Sequence, residues 1–220
     1  MTAEELGKAA GLPAERARTL LTAVASLGLV SVDDERFANA PAAESFLVQG
    51  ARHDFGDYLR LQVDRQMYGL LDQIEPALAN RLPEDATGSY AEWFDDPEQA
   101  RIYSESQHAG SLGPARGLAK IVDLTAAQTL LDVGGGTGAY AITLCNAWPE
   151  LTATVVDFPN VAAIGREYVA EAGLTDRIAY VEGDALVTGW PEGQDALLMS
   201  YLFSGVPGDA HEGLIARAFQ

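Results

Sequence analysis

Residues 130–138, Leu-Leu-Asp-Val-Gly-Gly-Gly-Thr-Gly, join an apolar strand to a helix through a turn rich in glycine. Gly134, Gly136 and Gly138 remove the Cβ where the chain must turn tightly, so a ligand can touch the backbone there. The amides at the start of the following helix point to the same place. This order predicts a parallel α/β fold with a small-molecule site at the carboxyl edge of its sheet.

The glycine spacing alone leaves two kinds of ligand open. Gly134, Gly136 and Ala139 match the permissive G-x-G-x-x-G/A fingerprint of NAD(P) enzymes. Asp132, two residues before the first of these glycines, suits a methionine ammonium but would lie awkwardly beside a pyrophosphate. S-adenosylmethionine (SAM) carries that ammonium. Asp132 therefore favours SAM over a dinucleotide.

Two more acids follow at the ends of predicted strands. Asp157 ends the apolar run 153–156, roughly twenty residues after the glycine turn, where ribose hydroxyls are expected. Phe158 beside it could cover the adenine. The run 178–182 leads into Gly183-Asp184-Ala185, where Asp184 could accept the adenine amino group. Each acid alone could be a turn acid or helix cap, but together the three favour a SAM site.

Composition narrows the class of partner and the compartment. The chain has 14 basic and 32 acidic residues, a formal net charge of −18, which disfavours binding to nucleic acid and to anionic lipid. Its single cysteine, Cys145, cannot form an internal disulfide, and no signal peptide or membrane span is evident. His53 and His211 lack ligand-spaced carboxylate or thiol partners, and the chain has only three histidines, so we expect no metal. These features predict a soluble cytoplasmic protein.

The first forty residues predict two helices and a short hairpin. Thr2 and Glu5 form a capping-box pattern, and Gly11 marks the end of the first helix. An apolar stripe defines the second helix: Leu20, Leu21, Val24 and Leu27. Residues 29–32 and 37–39 flank the acidic turn 33–35, an order typical of a winged helix. Such modules often bind DNA, but the acidic turn would repel phosphates, so we do not expect DNA binding.

The rest of the chain divides into a helical and an alternating part. From about residue 54 to residue 123 the apolar residues follow helical spacing, with breaks at Pro76, Pro83, Gly88 and Pro97. Strands are then predicted at 129–133, 153–157, 178–182 and 195–201, with helices between them. This alternation predicts a Rossmann-like, doubly wound parallel sheet, preceded by a mainly helical winged-helix domain.

The order of these segments resembles that of the plant-type and bacterial small-molecule O-methyltransferase family, over nearly all 220 residues. The motifs that carry the resemblance are Leu130 to Gly138, Asp157-Phe158-Pro159, Gly183-Asp184 and Met199-Ser200-Tyr201. It implies a SAM-dependent homodimer that methylates a small molecule and releases S-adenosylhomocysteine (SAH). The implied cofactor contacts are Asp132, Gly134, Gly136, Asp157, Phe158, Asp184, Ala185, Ser200 and Tyr201.

The resemblance also implies a division of the chain into two domains with different roles. Residues 1–115 would hold the winged helix and connecting helices, with dimerisation and the acceptor pocket, and residues 116–220 the SAM-binding domain. Family members have N-terminal helices exchanged between subunits and a C-terminal strand hairpin that finishes the sheet. This sequence lacks both, so we expect residues to be missing at each end.

Just after the fourth strand the sequence departs from the family. Members usually carry a His-Asp-Trp run whose histidine deprotonates the acceptor hydroxyl, and this chain reads Ser204-Gly205-Val206. A serine near its free pKa is no general base at neutral pH without a partner. A thioether sulfur needs no deprotonation, which favours the dimethylsulfoniopropionate-synthesis branch and an acceptor such as 4-methylthio-2-hydroxybutyrate. O-methylation with another base is the alternative, and a non-catalytic SAM-binding regulator a further one.

The helix predicted from Pro97 to Ser111 resembles the stretch that lines the acceptor pocket in the family. The candidate catalytic and pocket residues are His108, Tyr103, Gln107, Tyr90 and Trp93. His108 is either a replacement base, a ligand of an acceptor carboxylate or a helix histidine bonded to backbone or solvent. The aromatic side chains, with Tyr68, form either a cation–π cage for a sulfonium or ordinary core packing. Arg101 and Arg116 are weaker candidates for binding a carboxylate.

Overall fold

A computed structural model describes residues 1–82 and 90–219 of the chain. The chain forms two compact units, Met1–Gly56 and Asp57–Gln220. Pro83 and Gly88, predicted above as helix breaks, lie outside the described residues.

The first unit has the predicted order of two helices and a hairpin. Its elements are α1 (Ala3–Ala10), α2 (Ala14–Ser26), β1 (Val30–Asp33), β2 (Arg36–Asn39) and α3 (Pro41–Phe46). The capping box of Thr2 and Glu5 is present, and Gly11 ends α1 in the left-handed conformation. β1 pairs with β2 in antiparallel register, and the turn residues Asp34 and Glu35 have φ values of 43° and 62°. The helices and the hairpin are confirmed; the winged-helix assignment stays a prediction.

The core of this unit is small. Ala3, Leu21 and Phe37 are buried, with Leu6 and Val30 packed against them. Of the stripe predicted on α2, Leu21 is buried, whereas Leu20 and Leu27 are 51% and 73% exposed. Helical spacing identified the helix but overestimated the width of its buried face, because a hairpin of two short strands covers little of it.

The second unit begins with helical segments, as predicted. They are a π-helix at Tyr58–Met67, a 3-10 segment at Tyr68–Gln73, α4 (Ile74–Leu78), α5 (Tyr90–Asp95) and α6 (Pro97–Leu118). Pro76 does not break a helix: it lies in the first turn of α4, where its missing N–H is not needed. Pro97 starts α6, and the Asp96 side chain caps it by accepting from the Glu98 amide at 2.8 Å.

Helix α6 is longer than predicted and continues past Ser111 and Pro114 to Leu118. The predicted division between residues 115 and 116 therefore falls inside a continuous helix. The structure separates its compact units at Gly56 instead, because α5 and α6 pack on the sheet-forming part of the chain. The roles assigned to the two halves stay predictions.

The alternating part forms a four-stranded parallel sheet, which confirms the predicted fold class. Its elements are β3 (Thr129–Val133), α7 (Ala139–Ala147), β4 (Thr152–Asp157), α8 (Pro159–Glu171), β5 (Ile178–Glu182), β6 (Ala196–Leu198) and α9 (His211–Arg217). The strand order is β5-β4-β3-β6. The order reverses beside β3, so the crevice next to the end of β3 is the expected ligand position in such a sheet.

The fourth strand is shorter than the predicted 195–201. Asp195 lies before β6, where its Oδ2 accepts from the backbone N–H groups of Gln128 and Thr129 at 2.8 and 3.0 Å. Tyr201 has a φ of 61°, which a strand cannot contain. The apolar run therefore overstated the strand by including the residues that turn away from the sheet.

Both faces of the sheet are packed. One face holds a cluster that includes Leu130, Val155 and Ile178, and the other includes Leu131 and Val156. Cys145 belongs to the first cluster, and burial raises the pKa of its thiol, in keeping with a core residue without chemistry. Within residues 1–82 and 90–219, no helix combines the length and the apolar character needed to cross a membrane.

Candidate cofactor and acceptor site

The glycine turn lies between β3 and α7 at the carboxyl edge of the sheet. Gly134, Gly136 and Gly138 have φ values of 70°, 59° and 74°, which favour glycine. The peptide group of Gly136 is held on both sides: its N–H donates to Asp157 Oδ2 at 2.7 Å, and its carbonyl accepts from the Tyr180 hydroxyl at 3.1 Å. The turn is thus fixed by side chains from strands β4 and β5.

The space around each glycine shows which side of the turn is closed. A Cβ on Gly135 would come within 2.6 Å of the Asp132 carboxyl group, and one on Gly134 within 2.9 Å of Leu202. A Cβ on Gly136 would meet nothing within 4 Å. Gly135 therefore covers Asp132, whereas Gly136 leaves room for a ligand to approach its backbone.

Asp132 is the most perturbed carboxylate of the site. It is 1% exposed, and neither of its carboxylate oxygens has a hydrogen-bond partner among the described residues. Burial, and then the charge of Asp157, raise its pKa to about 7. The backbone N–H of Ala141 partly offsets this rise, although it forms no hydrogen bond with either oxygen. A buried carboxylate without a partner is costly, so a cation bound beside it would be strongly favoured.

Asp157 ends β4, and unlike Asp132 its carboxylate accepts hydrogen bonds. Its two oxygens accept from the backbone N–H groups of Gly136 and Phe158, at 2.7 and 2.8 Å. Burial raises its pKa to about 6, and these two hydrogen bonds limit the rise. Asp157 lies at the end of its strand, as predicted, and it contacts the glycine turn; its role toward ribose hydroxyls stays a prediction.

The remaining predicted cofactor contacts differ in burial and in hydrogen bonding. Asp184 Oδ1 accepts from the Leu186 N–H at 2.8 Å, which closes the turn after β5. Ala185 is buried, and its carbonyl accepts from Trp190 and Arg217. Ser200 and Tyr201 follow β6, and Tyr201 is 72% exposed. Their role in binding a cofactor stays a prediction.

The aromatic candidates form one cluster. Tyr90, Trp93 and Tyr103 contact one another and Phe94, with ring centroids 5.0–6.2 Å apart, and Phe94 lies 5.7 Å from Phe158. Burial, followed by a hydrogen bond with Tyr90, raises the pKa of Tyr103 far above its usual range.

This cluster reaches the segment after β6. A Cβ on Gly205 would lie 3.2 Å from the Tyr90 ring. The cluster therefore lies next to Ser204-Gly205, the position of the family's histidine. Tyr68, proposed as a fourth member of a cage, is 66% exposed and lies outside the cluster.

His108 and Gln107 both lie on α6 but contact different partners. His108 Nδ1 is 2.8 Å from Thr137 Oγ1 in the glycine turn, and its ring stacks on Tyr168 at 3.8 Å. Burial lowers the His108 pKa to about 4. Gln107 donates to the buried Gln62 of the π-helix at 2.7 Å. Arg101 is committed to ion pairs with Glu105 and Glu167.

Ser204 has no activating partner in the described part of the chain. Its side chain is exposed, and its hydroxyl donates to the Tyr201 carbonyl at 2.8 Å. The nearby His211 is bonded through Nε2 to the Phe203 carbonyl at 2.9 Å. Among the described residues, no group of three His, Cys, Asp or Glu side chains is placed to hold a metal ion.

Sequence reasoning missed three residues that shape this site: Thr137, Tyr168 and Tyr180. Thr137 lies within the glycine turn, so its position was a signal that went unused. Tyr180 is the residue whose ring fits against two glycines: a Cβ on Gly138 or Gly165 would come within 2.9 or 2.1 Å of its hydroxyl. Nothing in the spacing of α8 indicated that Tyr168 would meet His108.

A parallel sheet with a glycine turn, acids at successive strand ends and a covering helical segment defines a Rossmann-like methyltransferase fold. Residues 70–206 match the O-methyltransferase domain family. The chain belongs to this family. The dinucleotide alternative that the glycine spacing left open is thereby set aside.

Three relatives illustrate the match. The chain is 34% identical to 3-hydroxy-5-methyl-1-naphthoate 3-O-methyltransferase of Streptomyces sahachiroi, covering 91% of this chain and 58% of that protein. It is 31% identical to N,N-dimethyltransferase OxyT of Streptomyces rimosus, covering 98% and 64%. The solved structure of the S-adenosylmethionine-dependent methyltransferase SibL superposes with a TM-score of 0.71 at 26% identity, covering 100% of this chain and 66% of that one. The chain thus spans about two thirds or less of each relative.

Proposed function

We propose that this protein is a SAM-dependent methyltransferase that acts on the oxygen or nitrogen of a small natural-product-like molecule. The observation that carries the proposal is Asp132, a buried carboxylate under the glycine turn whose oxygens have no hydrogen-bond partner within residues 1–82 and 90–219. The methionine part of SAM supplies the missing cation. Family membership and the two Streptomyces relatives support the same activity.

The chain's own residues then have defined tasks. Asp132 would bind the ammonium, the glycine turn would lie against the methionine part, and Asp157 would exchange its contact with Gly136 for the ribose hydroxyls. Bound SAM would supply a methyl group from its sulfonium and leave as SAH. The residues above would hold it while the acceptor oxygen or nitrogen takes the methyl group and gives up its proton to solvent.

The aromatic cluster of Tyr90, Trp93, Phe94, Tyr103 and Phe158 is the proposed wall of the acceptor pocket. It is apolar and lies between α6 and the start of α8. Such a wall suits a flat or aromatic acceptor, and it excludes water from the methyl group in transit. We propose that it positions the acceptor, so that proximity supplies most of the acceleration.

N-methylation is a second candidate, favoured by Ser204. A phenol must lose its proton to attack, and Ser204 is an exposed hydroxyl bonded to a backbone carbonyl. A neutral amine attacks with its own lone pair and loses a proton afterwards. The relative OxyT is by its name an N,N-dimethyltransferase, whereas the thioether acid expected above finds no counterpart among these relatives.

The test is a direct assay of three acceptors. The protein is incubated with SAM and, separately, a hydroxynaphthoate, an aromatic amine and 4-methylthio-2-hydroxybutyrate, and products are detected by mass spectrometry. A methylated phenol or amine supports the proposal and identifies the atom. Methylation of the thioether alone would contradict the proposal and support the hypothesis of S-methylation. SAH binding without methylation of any acceptor would favour the non-catalytic regulator.

We also propose that the protein acts as a cytoplasmic homodimer. Apolar side chains are exposed along one stretch of the second unit, with Tyr68, Leu71, Ile74 and Leu78 between 50% and 84% exposed. Exposed apolar surface of this kind favours association. Light scattering coupled to size exclusion should give twice the monomer mass, and a monomeric mass at micromolar concentration would contradict the proposal.

A further inference from the structure

The glycine turn is also contacted from outside the sheet, by the His108 side chain of α6. Thr137 is 4% exposed, and its hydroxyl is 2.8 Å from His108 Nδ1 on α6. The adjacent residue, Gly136, is held by Asp157 and Tyr180 from the sheet. Two consecutive residues of the turn are thus held by different elements: Gly136 by the sheet and Thr137 by α6.

His108 is itself held in place. Its ring stacks on Tyr168 of α8 with centroids 3.8 Å apart and an interplanar angle of 20°. Burial lowers its pKa to about 4, so the ring is neutral at physiological pH and puts no positive charge near the proposed cation site. A neutral, stacked imidazole is a rigid hydrogen-bonding group rather than a mobile acid.

The same helix carries Tyr103, one residue of the proposed acceptor wall. Tyr103 lies five residues before His108 on α6, within the aromatic cluster, and Gln107 is tied to the π-helix through Gln62. A shift of α6 would therefore move Tyr103 and change the contact with Thr137 at the same time. The helix physically joins the two halves of the site.

We infer that His108 is a positioning residue: through its hydrogen bond to Thr137 it holds the glycine turn in the conformation that binds SAM and SAH. This inference rests on the proposed function. It replaces the role of base or carboxylate ligand considered for His108 from the sequence. Its effect falls on cofactor affinity, because the turn must otherwise be ordered when the ligand binds.

The test measures SAH binding by titration calorimetry, with no acceptor present. Thr137→Val removes the hydroxyl at nearly constant volume, and His108→Phe keeps a ring over Tyr168 without the nitrogen. Each should raise the dissociation constant for SAH about fivefold to tenfold, the effect of losing one buried hydrogen bond. Thr137→Ser should restore wild-type affinity. Thr143→Val is the matched control, since that hydroxyl donates to the Ala139 carbonyl of its own helix, and it should change affinity less than about twofold.

The double variant separates positioning from general loosening. If the two side chains act through one bond, Thr137→Val with His108→Phe should bind SAH no more weakly than either single variant. Circular dichroism shows whether each variant is folded. Wild-type affinity in Thr137→Val, or additive losses in the double variant, would overturn the inference. If the wild-type protein binds no SAH, the proposed function fails first and the inference falls with it.

Discussion

The backbone of Gly135 lies directly on the carboxyl group of Asp132, so that an added Cβ would come 2.6 Å from its Cγ and Oδ2. This contact explains how the carboxylate is buried with no hydrogen-bond partner in the described part of the chain: the turn that would bind the ligand also shields the acid from water. Binding of a cation and closure of the turn are therefore parts of one arrangement.

Gly135→Ala should disable the site by pushing the turn off Asp132. The clash is with the carboxyl group of a buried side chain, so the turn or Asp132 must shift, and we expect SAH affinity to fall more than about tenfold. Titration calorimetry measures the loss. Gly189→Ala is the control, because a Cβ there meets nothing within 4 Å. Unchanged affinity in Gly135→Ala would show that the turn is free to move.

Asp132→Asn should stabilise the unliganded protein and abolish cofactor binding. The folded-state pKa of Asp132 is raised to about 7 from 3.8, so the folded protein binds more protons than the unfolded chain between these values. Its contribution to stability therefore falls as pH rises from about 4 to 7. At pH 7.5 the neutral amide avoids that loss, and the Tm should rise by at least about 2 °C. A lower Tm at pH 7.5 would contradict this.

SAH binding should release protons near neutral pH. With a pKa of about 7, Asp132 is half protonated at pH 7, and the ligand's ammonium favours its ionised form. About half a proton should then be released per SAH at pH 7, more at pH 6 where Asp157 also titrates, and almost none at pH 8.5. Calorimetry in buffers with different ionisation enthalpies measures this. An enthalpy that is the same in all buffers at pH 7 would refute it.

The sheet and its acids were predictable because local sequence determines them. Strands β3, β4 and β5 are short apolar runs between turn residues, and the strand ends place Asp132 and Asp157 beside the glycine turn whatever the rest of the chain does. The fold class and the position of the predicted cofactor residues at one sheet edge follow from that topology.

The side-chain contacts were not predictable in the same way. The stack of His108 on Tyr168 joins α6 to α8, residues sixty apart, and depends on how the two helices cross. The insertion of Tyr180 against Gly165 likewise depends on the packing of α8 on the sheet. Spacing gives the face of an element but not which partner that face meets, and Tyr68 fell outside the aromatic cluster for this reason.

Gly165→Ala should destabilise the fold through Tyr180. A Cβ at position 165 would lie 2.1 Å from the Tyr180 hydroxyl and 2.4 Å from its Cζ, in a packed region of the sheet face. Overpacking of this kind costs about 1–3 kcal/mol, and chemical denaturation measures it. Gly117→Ala on α6 meets nothing within 4 Å and serves as the control. Adding Tyr180→Val to Gly165→Ala should recover part of the lost stability. If stability is not recovered, the clash with Tyr180 is not the cause of the loss.

Ser204→His should raise the rate at which a phenol is methylated. Ser204 precedes Gly205, where an added Cβ would lie 3.2 Å from the Tyr90 ring. Position 204 is therefore at the edge of the proposed acceptor wall. An imidazole there can take the phenol proton as the methyl group is transferred, and general-base catalysis contributes about a hundredfold or more. We expect at least a tenfold gain with a hydroxynaphthoate and a rate that rises with pH through about 6.5 as the histidine loses its proton.

The same variant distinguishes the two acceptor atoms. An aromatic amine needs no base before attack, so its methylation rate in Ser204→His should stay within about threefold of the wild type. Ser204→Asn is the matched control: it adds bulk and hydrogen-bonding capacity without a basic nitrogen, and it should leave phenol methylation unimproved. Equal gains for phenol and amine, or a gain in Ser204→Asn, would mean that position 204 acts by shaping the pocket. Proton transfer would then have to be sought at another residue of the wall.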